Sequence, residues 1–348
     1  MSYPDGFKLQ FSSDNTAGVC PEALAAFNEA NHGFAPSYGN DDVTRAVCDR
    51  LREVFETDCQ VFFVFNGTAA NSLALASLCQ SYQGVICTDC AHVETDECGA
   101  PEFFSNGSKL LLSPHRYGKL TAQGVREVIT RRSDIHYPRP RVITLTQSTE
   151  LGTIYQLGEI AGLTRLAHEH GLKAHMDGAR FANAVASLGC AAADITWRAG
   201  IDVMCFGGTK LGLPMGEAII FFDQALGEEF AYRCKQAGQL ASKMRFLSAP
   251  WLAMLKQDVW LNHARHANAM AHRLADRLSA IAGAEMLLPT EANGVFVNLP
   301  ESALQALRAS GWVFYTFIGG GARFMCSWAT EEAAIDALAA DMANALGA

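Results

Sequence analysis

The chain has 348 residues, 49% of them hydrophobic, with a formal net charge of −9 at pH 7 and a pI near 5.6. That length and apolar content suffice for one large domain and a smaller one, and the acidic balance argues against DNA, RNA or an anionic membrane as a partner. The eleven cysteines are scattered and mostly sit in apolar stretches, which reads as buried free thiols in a reducing compartment.

Met1 to Gly6 show neither a basic n-region nor an apolar h-region, and no apolar run is long enough to span a bilayer, so a soluble, cytoplasmic protein is expected. From about residue 60, short apolar runs alternate with amphipathic ones, predicting an α/β fold with a mostly parallel sheet flanked by helices. The expected strands are Val61–Phe65, Gly84–Thr88, Lys109–Leu112, Arg141–Thr146, Leu172–Met176, Asp202–Cys205 and Ala218–Phe222. Between them, Ala69–Ser81, Thr121–Arg131, Gly158–His170 and Phe181–Leu188 have helical spacing. Beyond Phe222, long helices are expected over Gln224–Ala241 and Leu252–Ile281. Strands at Gly294–Leu299, Val313–Phe317 and Arg323–Ser327 and helices at Glu301–Ala309 and Glu331–Leu346 complete a small α+β domain. The boundary falls near Pro250, giving an arm and large domain over 1–250 and a small domain over 251–348.

The chemistry-bearing positions lie at predicted strand ends. Asn66-Gly67-Thr68 follows the first strand and opens a helix, offering N–H groups, a hydroxyl and a helix dipole to a phosphate, although Asn-Gly turns before helices are common. Cys87 and Cys90 form a C-x-x-C near His92 and Cys98, but no second such pair completes a closed zinc site, and no metal is expected. His92, just past a strand, is either a base or ring-stacking group, or a satisfied structural histidine. Asp177 ends one strand and Lys210 follows the next, within Gly207-Gly208-Thr209-Lys210-Leu211-Gly212. A carboxylate for a pyridinium N–H and a desolvated, Schiff-base-forming lysine on successive strand ends make the pair that a pyridoxal phosphate site needs; the bland alternative is a surface lysine. Arg180 is placed to meet a cofactor phenolate or a substrate carboxylate, or else an ordinary helix-start ion pair. Arg323, opening a buried strand after a glycine run, calls for an anion, either a substrate carboxylate or an internal Asp or Glu.

Ser13-Asp14-Asn15-Thr16, Tyr38-Gly39-Asn40-Asp41-Asp42, Asn66-Gly67-Thr68-Ala69-Ala70-Asn71, Ala91-His92, Met176-Asp177-Gly178-Ala179-Arg180 and Thr209-Lys210-Leu211-Gly212 occur in that order. From about residue 8 to the C-terminus, the set resembles the low-specificity L-threonine aldolases, fold-type I pyridoxal phosphate enzymes of the aspartate-aminotransferase-like class and the wider β-eliminating lyase group. The resemblance implies that Lys210 carries the cofactor, Asp177 holds the pyridine nitrogen and His92 stacks on the ring. It implies phosphate binding by Gly67, Thr68 and Thr209, helped by Lys235 of a neighbouring subunit, and binding of the substrate carboxylate by Ser13, Arg180 and Arg323. Tyr38 would line the site across a dimer interface in a homotetramer. Two departures bear on the β-substituent pocket: Glu150 stands where many members have a second histidine, and Asp96 where many have an aromatic residue. The activity implied is retro-aldol cleavage of L-threonine, L-allo-threonine and related 3-hydroxy amino acids to glycine and an aldehyde, with His92 the leading base and Glu150 the second. A β-eliminating lyase or an aminotransferase is the alternative within the cofactor class, and a non-catalytic binding protein is the alternative outside it.

Overall fold

A computed structural model describes residues 9–317 and 321–347. Met1 to Gly6, and Gly319 and Gly320 of the glycine run before Arg323, lie outside the described residues.

The strands are β1 (Leu9–Gln10), β2 (Gln60–Val64), β3 (Gln83–Thr88), β4 (Lys109–Ser113), β5 (Arg139–Thr146), β6 (Lys173–Gly178), β7 (Val203–Phe206), β8 (Glu217–Phe221), β9 (Glu285–Met286), β10 (Gly294–Asn298), β11 (Trp312–Val313), β12 (Tyr315–Thr316) and β13 (Gly321–Met325). The helices are α1 (Pro21–Glu29), α2 (Asp42–Phe55), α3 (Gly67–Leu78), α4 (His92–Thr95), α5 (Ala100–Phe104), α6 (Ala122–Thr130), α7 (Leu157–Glu169), α8 (Phe181–Leu188), α9 (Phe230–Gln236), α10 (Arg245–Leu255), α11 (Val259–Ser279), α12 (Glu301–Ala309) and α13 (Glu332–Leu346).

Seven strands form the large sheet in the order β2-β8-β7-β6-β5-β3-β4. Only β8 runs antiparallel to its neighbours, so the expected mostly parallel sheet is present. Its strands are apolar on both sides because helices cover both faces. Helices α3 and α9 pack on one face; α2, α7, α8 and α10 pack on the other. Helix α3 is buried at Ala70 through Ala76, which accounts for an apolar sequence without a polar stripe. Helix α2 shows the opposite pattern. Asp41 caps it by accepting the Thr44 N–H at 2.8 Å, and Val47, Leu51 and Phe55, spaced by four, are fully buried, each worth about 1.5–3 kcal/mol.

A second sheet, β12-β13-β10-β9, carries α11, α12 and α13 over its own core. Beside it β1 pairs in parallel with β11, Leu9 against Trp312. Among the described residues, no helix is long and apolar enough to cross a membrane.

Three expectations beyond Phe222 need correction. The helix over Gln224–Ala241 is broken into a 3-10 turn, Gln224–Gly227, and α9. Gly227 lies so close to β2 and β8 that a Cβ would come within 2.7 Å of Gln60 Oε1, and Gly238 is left-handed at φ +72°. The helix over Leu252–Ile281 is two helices, because Gln257 and Asp258 both take positive φ. Pro250, at the expected boundary, lies inside α10. The strand over Val313–Phe317 is also two, since Trp312–Val313 pairs with β1 whereas Tyr315–Thr316 pairs with β13, and Phe314 between them turns into the core.

Candidate active site

The parallel strands deliver their chemistry at their carboxyl ends, where open α/β sheets bind ligands. Four of these ends converge on a cavity of about 200 Å³ whose lining includes Gly67, Thr68, His92, Asp177, Thr209 and Lys210. The three strongest sequence candidates, Lys210, Asp177 and His92, thus share one cavity.

Asp177 ends β6 and is buried. Its Oδ1 accepts the Ala179 N–H at 2.9 Å and its Oδ2 accepts Asn71 Nδ2–H at 2.8 Å. Burial opposes ionisation, but the nearby His92 and Lys210 and these two hydrogen bonds hold the carboxyl below its ordinary range. Lys210 sits in the 3-10 turn Thr209–Leu211 after β7. Burial first, and then the Arg180 charge, lower its pKa, favouring the neutral amine that attacks carbonyls. The turn comes this near β6 because residue 207 is glycine: a Cβ there would lie 2.4 Å from the Ala179 carbonyl oxygen.

Gly67 and Thr68 open α3, where Asn66 Oδ1 takes the Ala69 N–H at 2.9 Å. A helix cannot satisfy its first N–H groups internally, and Gly67 and Thr68 both line the cavity; a Cβ on Gly67 would meet nothing within 4 Å. Thr209 directs its hydroxyl to Glu217 Oε1 at 2.7 Å, so its expected service to a phosphate competes with that bond.

Arg180 is committed to Asp14. Its Nε and Nη2 donate to Oδ2 and Oδ1 at 2.7 and 2.8 Å, leaving Nη1 for another anion. Ser13 caps the 3-10 turn Asp14–Thr16, accepting the Asn15 N–H. Arg323 lies between the rings of Tyr315 and Phe317, 5.3 Å from each centroid. Its Nη2 donates to the Ser12 carbonyl at 3.2 Å, while its buried Nε has no partner among the described residues. Burial and the neighbouring Arg180 charge lower its pKa. Two guanidiniums that feel each other's charge, one with an orphaned donor, suit a further carboxylate.

Other expected residues stand elsewhere. Glu150 is half-buried behind His92 with its carboxylate enclosed, its Oε1 accepting the His92 main-chain N–H and the Thr146 hydroxyl, both at 2.8 Å. Burial pushes its carboxyl up to about 6. Asp96 accepts the Thr95 hydroxyl at 2.7 Å and does not line the cavity. Lys235 and Tyr38 also lie outside it, with the Lys235 ammonium 4.7 Å from the Tyr38 ring centroid.

Sequence reasoning passed over Asp14, Asn71, Glu97 and Glu217, all buried and polar. Asp14 and Asn71 stood inside motifs already singled out, which was the available signal. Glu217 opens an apolar strand, and its oxygens hold the Gly208 N–H and the Thr209 hydroxyl.

A family model described as beta-eliminating lyase matches residues 10–302. The chain is 61% identical over 340 residues to the low specificity L-threonine aldolase of Pseudomonas sp. (strain NCIMB 10558), covering 97% of this chain and 98% of that one. It is 59% identical to the protein of the same name from Pseudomonas aeruginosa, with the same coverage. Among solved structures, the threonine aldolase of Leishmania major superposes with a TM-score of 0.91 at 28% identity, covering 97% of this chain and 99% of that one.

Proposed function

The chain belongs to the beta-eliminating lyase family and, within it, to the low-specificity L-threonine aldolases; on that premise we propose that it is an aldehyde-lyase of fold-type I architecture that cleaves L-threonine and related L-3-hydroxy-α-amino acids to glycine and an aldehyde. The cofactor in this reading is pyridoxal 5′-phosphate, and the observation that carries it is the meeting of Lys210 and Asp177 in one small cavity at the mouth of α3.

The residues suit that group. Lys210 offers a buried amine, Asp177 a buried carboxylate for a protonated ring nitrogen, and Gly67 and Thr68 free N–H groups for a phosphate. When bound, pyridoxal phosphate supplies the electron sink for the pair left by the breaking Cα–Cβ bond.

The chain's own residues orient and move protons. Arg323 Nε and Arg180 Nη1 hold the substrate carboxylate, and fixing that end fixes which bond at Cα stands across the ring plane. His92 takes the proton of the β-hydroxyl as the carbon–carbon bond breaks and the aldehyde forms. Glu150 is enclosed and bonded to the His92 backbone, so it acts by holding that histidine in place and is not the base. Tyr38 and Lys235, exposed and paired on the outside of this subunit, are suited to a neighbouring subunit's site in a homo-oligomer.

The test is purified, cofactor-supplied protein. A visible absorbance band abolished by borohydride is expected, with release of acetaldehyde from L-threonine and L-allo-threonine and of benzaldehyde from phenylserine. Absence of the band sinks the cofactor reading, whereas a band with pyruvate and ammonia as products moves the chain to β-elimination.

A further inference from the structure

Behind His92 lies a buried polar chain that reaches Asp177. His92 Nδ1 is 2.8 Å from Glu97 Oε1. The same oxygen accepts one Asn71 Nδ2–H at 2.8 Å, and the second Asn71 Nδ2–H goes to Asp177 Oδ2, also at 2.8 Å. Glu97 is 3% exposed, and its other oxygen, Oε2, is buried without a partner among the described residues.

The direction of these bonds follows from the donor count. Asn71 Nδ2 only donates, so Glu97 Oε1 must be an acceptor toward it. A proton on Oε2 would point at no acceptor. A proton shared between Oε1 and Nδ1 rests on nitrogen, because imidazole is the stronger base, so Glu97 presents Oε1 as a double acceptor and His92 Nδ1 carries the hydrogen. In the neutral ring Nε2 is then the lone-pair nitrogen.

We infer that Glu97 is a positioning residue that fixes His92 in the Nδ1–H tautomer with Nε2 as proton acceptor, and that Asn71 ties this pair to the carboxylate of Asp177. The inference rests on the reading that His92 takes the substrate proton. Four charged groups face the ring or its backbone: Glu97 on its own segment, Asp177 from β6, Lys210 from the turn after β7, and Glu150 behind the main chain. Glu97 and Asp177 raise the His92 pKa, and Lys210 opposes them. Of the four, only Glu97 touches the ring nitrogen. Glu97→Gln keeps both acceptor bonds through its amide oxygen and removes the charge, while its amide N–H groups take the place of Oε2.

The experiment compares cofactor-supplied wild type and E97Q in two ways. Carbethoxylation of His92 by diethyl pyrocarbonate, followed by peptide mass against pH, is expected to show its midpoint about one pH unit lower in E97Q, because an anionic partner favours the imidazolium. The acid limb of kcat/KM for L-threonine should move down by about the same amount, with the plateau reduced about tenfold and KM little changed. A folded E97Q with an unchanged midpoint overturns the inference. Should E97Q not fold, the wild type decides alone. Long-range proton–nitrogen spectra, with His92 assigned by its loss in His92→Asn, are expected to show Nδ1 protonated and Nε2 bare at high pH, and the reverse overturns the inference. Neither the labelling nor the spectra need turnover. An inactive wild type therefore removes the aldolase reading and leaves the tautomer assignment to stand or fall separately.

Discussion

Asp14 and Arg180, 166 positions apart, meet through two charge-assisted hydrogen bonds of 2.7 and 2.8 Å, with Asp14 only 2% exposed. Asn293 Nδ2 adds a third bond to Asp14 Oδ2 at 3.0 Å while also donating to the Cys326 carbonyl. One carboxylate thus joins the arm after β1, the turn beyond β6 and the loop before β10. It also neutralises one of the two guanidiniums proposed to hold substrate.

Removing that carboxylate strands Arg180. Asp14→Ala is expected to cost about 3–5 kcal/mol, the usual penalty for a buried charge left without its partner, measured by urea unfolding at neutral pH. Asp14 is held below its ordinary value although burial opposes this, with the Arg180 charge as the main lowering influence. A depressed carboxylate contributes stability that is fully present above its unfolded pKa, 3.8, and is lost as pH falls below it. The wild type should therefore lose stability below about pH 4 more steeply than D14A.

Glu150 has the opposite sign. Burial raises its carboxyl from 4.5 to about 6, so the fold favours the protonated form and loses stability as pH rises across that interval. About 2 kcal/mol is lost in total. Glu150→Gln does not titrate. Its Tm relative to wild type is expected to climb between pH 4.5 and 6 and then level off, and a flat difference across that range would count against a buried, ionising Glu150.

The proposed carboxylate anchor gives a kinetic expectation. Arg323→Ala removes a guanidinium whose Nε has no partner among the described residues. KM for L-threonine should rise roughly 10- to 100-fold, the worth of a charge-assisted hydrogen bond, with the cofactor band intact. A KM unchanged from wild type would assign Arg323 to the arm alone, through its bond to Ser12.

Two glycines separate close approach from open space. Gly207→Ala drives a Cβ into the Ala179 backbone at 2.4 Å. It should destabilise the protein by about 3 kcal/mol and weaken cofactor retention by displacing the Lys210 turn. Gly162 lies in α7, and a Cβ there meets nothing within 4 Å. Gly162→Ala should stabilise by about 0.5–1 kcal/mol. Thermal melts of the pair decide both.

The large sheet was legible because each of its strands is a short apolar run flanked by helices of 3.6 periodicity, and Lys210 and Asp177 were legible because they end such runs. What stayed hidden is non-local or off-register. Nothing near Arg180 announces a partner at position 14. Glu97 lies five residues past His92, and the single helical turn of α4, closed by the Asp96 N–H on the His92 carbonyl at 2.9 Å, returns it to the ring. Helices that looked continuous, Gln224–Ala241 and Leu252–Ile281, broke where glycine packing or left-handed residues override propensity, because tertiary packing decides such joints.

The pairing of Leu9 with Trp312 sets an order of assembly. As the chain emerges from a ribosome, the segment bearing Asp14 has no strand to dock on until residue 312 has been made, and the Asn293 bond arrives scarcely earlier. Lys210, Asp177 and His92 can be gathered by the large sheet well before that. The proposed substrate-carboxylate pocket, shared between Arg180 and Arg323, must close last, after nearly the whole polypeptide has been synthesised, at the loop-closure cost that slows contacts between distant segments.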